Sequence, residues 1–305
     1  MTTPVIRQFM GTIPDKGQAQ TAFDTNVDAF LDWQALQFAP DLVAFGTWTN
    51  GVADSVLATA LAGDLPALTG KAGQFIRANA AEDGGEFVLL KAPTFTLLTS
   101  GATATYTTPT DAIAILVEVF GAGGGSGGVD GQGSGTVAQS GGGGAGGYLQ
   151  KRIADPNATY TYTVGAAGAA GVAGDNDGGA GGTSTFTDGA SITLSSGGGG
   201  GGAGMTGTSG NAVAQGSLGG TSSGGDLNIS GNPSGPRGVI GGENASLSNG
   251  GSSMLGASGI AMFSGVGGAG LGYGSGAGGS GSRNVTTNYA GALGAGGLIK
   301  ITEFY

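Results

Sequence analysis

The chain has 305 residues, of which 71 are glycine, carries a formal net charge of −10, and contains neither histidine nor cysteine. The acidic charge disfavours nucleic acid and anionic membrane surfaces as partners, because both attract basic proteins. The missing histidine and cysteine exclude Ser-His-Asp and Cys-His catalytic sites, HExxH motifs and zinc sites, which leaves carboxylate-only chemistry such as that of a glycosidase.

The N-terminal sequence has no apolar segment of signal-peptide length, and no run of about 18 apolar residues occurs in the chain. We therefore expect a soluble protein that is made in a cytoplasm.

A helical pattern covers residues 17–38, where four apolar residues recur on one face: Phe23, Val27, Phe30 and Leu31. The stripe is narrow, so the helix either packs as a small hairpin on the next domain or forms the seam of a dimer or trimer. Pro40 predicts a break, with a second helical piece from Asp41 and a third piece capped by Asn50.

The next segment, Leu65–Val88, has the pattern of a β-hairpin. Residues Gln74–Ala78 and Glu86–Leu90 are strand-like, and Asp83, Gly84 and Gly85 supply the turn. A hairpin this small needs a neighbour to bury one face, and in a homotrimer the neighbour would be the adjacent chain.

From residue 93 onwards, short β patterns alternate with glycine-rich stretches. Ile113, Ile115, Val117 and Val119 alternate with residues of the opposite face, as in a half-buried strand. Further strands are predicted at Thr94–Thr99, Tyr148–Ile153, Thr159–Val164, Thr183–Thr187, Ser191–Ser195, Asp226–Ser230 and Leu298–Tyr305. Many short strands separated by turn residues favour a β-sandwich, with the glycine-rich stretches as insertions between its strands.

The glycine-rich insertions contain one regular repeat, Gly165–Gly174, with glycine at every third position. A period of three matches polyproline II, and side-chain-free helices of this kind can exchange backbone hydrogen bonds when they lie side by side. Collagen is excluded, because the chain has only nine prolines. The insertions are therefore either a bundle of such helices or flexible loops.

Three segments resemble bacteriophage tail-fibre proteins. Phe23–Leu31 with Ala39–Leu42 is similar to their helical N-terminal part, and Leu65–Val88 is similar to a recurrent connector. The rest resembles the glycine-rich domain at the distal end of such fibres, through the ordered motifs Tyr106–Pro109, Ile115–Gly125, Gly141–Tyr148, Tyr160–Gly165, Gly178–Phe186, Ile192–Gly202 and Ile299–Tyr305.

This resemblance implies a mainly β chain in three parts. Residues 1–64 would be a tail-attachment region with short helices, 65–92 a β-hairpin connector, and 93–305 a jelly-roll-like β-sandwich with inserted polyglycine helices that binds a receptor. The implied protein is a homotrimeric adhesin of the virion that docks on a tail-tip, baseplate or hub protein. It would bind a host-surface glycan or outer-membrane protein, and no nucleic acid, catalytic residue, cofactor or metal is expected.

Receptor contacts are expected where side chains interrupt the later glycine runs. The candidates are Arg237, Glu243, Met254, Phe263, Arg283, Asn284, Asn288 and Tyr289, and the alternative is that most of them only pack loops together. Phe23, Val27, Phe30 and Leu31 are the candidates for oligomerisation or attachment.

Two other classes of protein stay open. One is a structural or ice-binding glycine-rich protein, which the irregular later loops disfavour. The other is a tailspike glycosidase, for which Asp130, Asp188 and Glu243 show no pairing in the sequence. Asp175, Asn176 and Asp177 favour a turn rather than a metal site, since no calcium-loop spacing follows them.

Overall fold

The computed structural model describes residues 27–29, 31–32, 39–62, 74–78, 85–89 and 91–305. The chain divides into two units, Met1–Leu90 and Lys91–Tyr305.

In the first unit, residues 27–29 and 31–32 are helical, and one helix, α1, spans Ala39–Ala62. Helix α1 passes through Asn50 without a break, so the prediction of two pieces with a cap at Asn50 is wrong. Pro40 lies in the first turn, where proline is tolerated, and Asn50 and Gly51 each cost about 1 kcal/mol or less inside a helix, too little to end it. Among the described residues, no helix is long and apolar enough to cross a membrane.

The predicted hairpin is confirmed as an antiparallel pair, β1 (Gln74–Ala78) and β2 (Gly85–Leu89). The predicted turn residues Asp83 and Gly84 lie outside the described residues.

The second unit contains a β-sandwich of two antiparallel five-stranded sheets. In the first sheet the spatial order is β15 (Leu227–Ile229), β8 (Tyr148–Ala154), β5 (Ala114–Phe120), β19 (Leu298–Phe304) and β3 (Thr94–Leu98). In the second sheet the order is β14 (Ser222–Ser223), β11 (Thr193–Ser196), β10 (Ser184–Thr187), β9 (Thr159–Thr163) and β4 (Ala104–Thr107).

The sandwich core follows the predicted alternation of side chains. Ile115, Val117 and Val119 of β5 are fully buried, as are Ile299 and Ile301 of β19. They meet Tyr160 and Phe186 of the second sheet, whose rings stack with centroids 4.6 Å apart. Ile113 does not join this face, because it precedes β5 and is 61% exposed.

The glycine-rich stretches continue the sandwich strands as extended runs. Strand β5 leads directly into residues 121–129, called the central run below, and β9 and β11 lead into runs 165–174 and 197–204. Runs 141–147, 176–182 and 289–297 lead back into β8, β10 and β19. The predicted insertions therefore form ordered layers on one end of the sandwich.

Backbone hydrogen bonds of the central run have a period of three. Its successive N–H groups donate to three antiparallel runs in turn, as in Gly121 to Gly147 O, Ala122 to Gly182 O and Gly123 to Ala295 O, and the pattern repeats from Gly124 to Val129. Its carbonyl oxygens accept from three further runs, as in Gly199 N–H to Ala122 O, Gly168 N–H to Gly123 O and Ala277 N–H to Gly124 O. This threefold repeat is the one that polyproline II geometry requires, and the runs form a hydrogen-bonded bundle rather than flexible loops.

Small sheets close the end of the bundle that lies away from the sandwich, called the tip below. They are the parallel pair β6 (Val129–Asp130) and β12 (Met205–Thr206), the antiparallel pair β7 (Val137–Gln139) and β18 (Gly281–Arg283), and the three strands β13 (Ala212–Ala214), β16 (Arg237–Ile240) and β17 (Asn244–Ser246).

Candidate binding site at the tip of the glycine bundle

The tip has a small apolar core of its own. Val129, Val137, Ala138 and Val239 are fully buried there and pack with Met205. Glycine runs carry no side chains that could bury apolar area, so this cluster is what fixes the ends of the runs. The cluster therefore gives the loops of the tip an ordered, packed support.

Arg237, a predicted receptor contact, holds the end of a glycine run. Its Nη1 atom donates to the carbonyl oxygens of Ala203 and Gly204, at 3.0 Å for Ala203. Burial lowers the pKa of Arg237, and the charges of Asp175 and Asp177 oppose that shift. The guanidinium is therefore half-buried and anchored to backbone, so its replacement should also affect stability.

The segment Asp175–Asp177 forms the predicted turn and binds backbone and hydroxyl groups. Asp177 Oδ1 accepts from Gly204 N–H at 2.8 Å, and Asp175 Oδ2 accepts from Thr206 Oγ1 at 2.8 Å. Among the described residues, no group of three or more Asp, Glu, His or Cys side chains is placed to hold a metal ion.

A cleft of about 280 Å³ lies between this turn and the strands of the tip. Its lining consists of Asp175, Gly204, Met205, Thr206, Ala212, Val213, Ala214 and Arg237. The Val213 side chain is 79% exposed at this surface.

Four more of the predicted contacts lie at the tip, at the end of β18 and in the segment that follows it. The Asn284 side chain accepts from Gly135 N–H at 2.9 Å, and the Asn288 side chain accepts from Gly131 N–H at 2.9 Å. Tyr289 packs against the tip core, and Arg283 is exposed with its guanidinium 5.0 Å from the centre of the Phe263 ring. The two asparagines therefore hold the neighbouring loop of residues 131–135 as well as facing solvent.

Glu243 and Met254 lie apart from that loop. Glu243 is exposed in the turn between β16 and β17, still at the tip. Met254 lines a second cleft, with Tyr148, Ile229 and Asn232, at the sandwich end of the bundle. The structure thus brings most of the predicted contacts to the tip but does not bring Met254 to them.

The predicted oligomerisation residues are described in part. Val27 is half-buried and Leu31 is exposed, both in helical segments, whereas Phe23 and Phe30 lie outside the described residues.

The three carboxylates considered for a glycosidase do not converge. Asp188 lies in the loop between β10 and β11, where hydrogen bonds from the backbone N–H groups of Ala190 and Ile192 lower its pKa. Asp130 and Glu243 lie at the tip, and Asp130 accepts a hydrogen bond from Gln132. A carboxylate pair that flanks a scissile bond is not formed by these residues.

Sequence reasoning missed a buried carboxylate in the sandwich. Glu303 is 2% exposed and accepts hydrogen bonds from the hydroxyls of Thr94, Thr96 and Tyr106. Burial, with the charge of Glu303, raises the pKa of Tyr106. The signal was present in the sequence, because Glu303 continues the inward alternation of Ile299 and Ile301.

A family model described as a glycine-rich domain matches residues 98–302. No curated protein sequence matches the chain.

Proposed function

The chain belongs to the glycine-rich domain family, and from that premise we propose that it is a phage tail-fibre adhesin that binds a host-surface receptor with its tip. The observation that carries the proposal is the arrangement of side chains at the tip. Exposed apolar side chains of Val213, Ile240, Leu247 and Val285 lie there beside charged and amide groups, on a rigid backbone bundle. Varied loops on a rigid scaffold are a common design for recognition.

The N-terminal part would supply attachment and multivalency. In this proposal residues 1–64 dock on a tail-tip, baseplate or hub protein, and the helical stripe with Val27 and Leu31 forms the seam of a homotrimer. The exposed Leu31 supports such a seam. Three tips on one fibre would turn weak contacts with a glycan or outer-membrane protein into firm attachment to the host.

Binding to intact cells tests the adhesin. The labelled full chain is incubated with a panel of Gram-negative and Gram-positive strains, and bound fluorescence is measured by flow cytometry. The double variant Arg283→Ala/Ile240→Ala removes two exposed tip side chains, and the matched control Ile113→Ala removes an exposed side chain of the sandwich. We expect at least one strain to bind the wild type, the double variant to lose about tenfold in affinity (one tenfold step is about 1.4 kcal/mol), and the control to bind normally.

Two results contradict the adhesin: no strain retains the wild type, or the double variant binds as well as the wild type does. Light scattering tests the assembly, and a particle of one chain mass at micromolar concentration contradicts the trimer.

A further inference from the structure

The cleft at the tip has one polar wall and one apolar wall. Asp175, Thr206 and Arg237 form the polar wall, and Met205, Val213 and the two alanines of β13 form the apolar wall. Its volume of about 280 Å³ lies just below the range of about 300–1,000 Å³ typical of small-molecule sites, which suits one or two monosaccharide units.

Arg237 brings unused hydrogen-bond donors to this cleft. A guanidinium has five N–H donors, and the two bonds that Arg237 makes to Ala203 O and Gly204 O both come from Nη1. Among the described residues, Nε and Nη2 have no hydrogen-bond partner. Neither atom is among the buried unpaired atoms of the described residues, so solvent reaches both, and a ligand that enters the cleft can offer its acceptor oxygens to them.

The charges around the cleft select against an anion. The positive charge of Arg237 is already partly balanced by the negative charges of Asp175 and Asp177. Asp175 uses one oxygen for Thr206 and presents an acceptor at the same wall. A neutral ligand with hydroxyls that both donate and accept satisfies Arg237 and Asp175 together, whereas a phosphate or carboxylate is repelled by the Asp175 carboxylate in the cleft wall.

We propose that this cleft binds a neutral sugar unit of a surface glycan. Neighbouring hydroxyls of the sugar accept from Arg237 and donate to Asp175, and the C–H face of the ring lies on Val213. The inference rests on the proposed function and adds the ligand class and the place of contact.

Saturation-transfer NMR and titration calorimetry of the full chain test this site. The probes are the methyl glycosides of glucose, galactose, mannose and N-acetylglucosamine, with the methyl glycoside of glucuronic acid as the anionic comparison. Val213→Trp fills the cleft without touching the hydrogen bonds of the bundle. Leu218→Trp is the matched control, because Leu218 is 77% exposed and lies outside the cleft lining.

We expect at least one neutral glycoside to bind with millimolar affinity, Val213→Trp to weaken it at least tenfold, and Leu218→Trp to leave it unchanged, with both variants melting as the wild type does. Asp175→Asn should weaken the same probe. The proposal is overturned if no neutral glycoside binds, if Val213→Trp binds equally well, or if the glucuronide binds more tightly than every neutral probe.

The same variants on intact cells separate this inference from the adhesin itself. If the wild type binds no glycoside and Val213→Trp still binds cells, the sugar site is overturned. The adhesin then stands, and the result indicates a protein receptor. Glycoside binding that Val213→Trp removes, with no cell binding by the wild type, supports the sugar site and contradicts the adhesin.

Discussion

At Gly124 two glycine runs approach so closely that a Cβ atom there would lie 2.0 Å from the carbonyl oxygen of Gly200. The neighbour is backbone in a hydrogen-bonded run, and Gly124 N–H itself donates to Gly144 O, so neither side can move alone. Gly296 also lies in a run, yet the nearest atom to a Cβ there is Gly165 O at 4.0 Å.

Gly124→Ala should therefore destabilise the second unit at least as much as overpacking destabilises a protein core, which is about 1–3 kcal/mol. Gly296→Ala should change stability by less than about 1 kcal/mol, since alanine also lowers the entropy of the unfolded chain. Thermal unfolding followed by circular dichroism measures both. Equal melting temperatures for the two variants would contradict the close packing of the central run.

Tyr148 should make the fold sensitive to alkaline pH. Burial, then the charge of Glu118, then the hydrogen bond from the Tyr148 hydroxyl to Glu118 raise the pKa of Tyr148 to about 12. The unfolded tyrosine ionises near pH 10, so its contribution is complete below pH 10 and is lost as pH rises from about 10 to 12. The loss amounts to about 3 kcal/mol at most, from a shift of about two pH units.

Urea unfolding at pH 9, 10.5 and 12 measures this loss in the wild type and in Tyr148→Phe. The variant should be less stable at pH 9 and should lose less stability between pH 9 and pH 12. If both proteins lose the same amount of stability between pH 9 and pH 12, the loss comes from other groups, such as Tyr106.

Single residues differed in how much the sequence revealed. Ile115, Val117 and Val119 were placed on one face of a strand correctly, because alternation in a strand depends only on local geometry. The anchoring of Arg237 to Ala203 and Gly204 could not be predicted, because it joins runs more than 30 residues apart in the sequence.

At the scale of elements, buried serines connect runs where glycine alone cannot. Ser280 is fully buried, accepts from Gly267 N–H at 2.9 Å and donates to Ala290 O at 2.7 Å. Ser140 Oγ likewise accepts from Ser280 N–H, and Ser126 Oγ accepts from Ala292 N–H. Each hydroxyl forms a hydrogen bond with a backbone group that has no backbone partner within the threefold repeat.

Ser280→Ala should cost about 1–3 kcal/mol, because it leaves the buried N–H of Gly267 and the partly buried carbonyl of Ala290 without their partner. Ser264 is exposed and its hydroxyl makes no hydrogen bond to the described residues, so Ser264→Ala should stay within about 0.5 kcal/mol of the wild type. Chemical unfolding of both variants gives the comparison. A Ser280 variant as stable as the Ser264 variant would show that this serine does not support the bundle.

The elements were predictable in proportion to their side-chain patterns. Strands β5, β8, β9 and β19 were found near their observed bounds because their apolar residues alternate. The break in α1 was wrong because a single Asn-Gly pair does not outweigh a helix of 24 residues. The partners of each glycine run were not predictable, since glycine offers no side-chain pattern that identifies a neighbour.

At the scale of the whole molecule, we expect the sandwich and the bundle to unfold together. Strand β5 lies in the middle of its sheet and continues into the central run. Strand β19 lies beside it and continues from run 289–297, whose backbone accepts hydrogen bonds from the central run. Loss of either layer removes the support of the other.

Hydrogen exchange should therefore give similar, maximal protection to the amides of residues 122–128 and to those of strand β5. Both sets should exchange only by global unfolding, while loop amides of the tip, such as those at 285–287, exchange much faster. Amide-resolved mass spectrometry or NMR at several urea concentrations measures these opening free energies. Central-run amides that open several kcal/mol below the β5 amides would show that the glycine bundle melts as a separate layer on a stable sandwich.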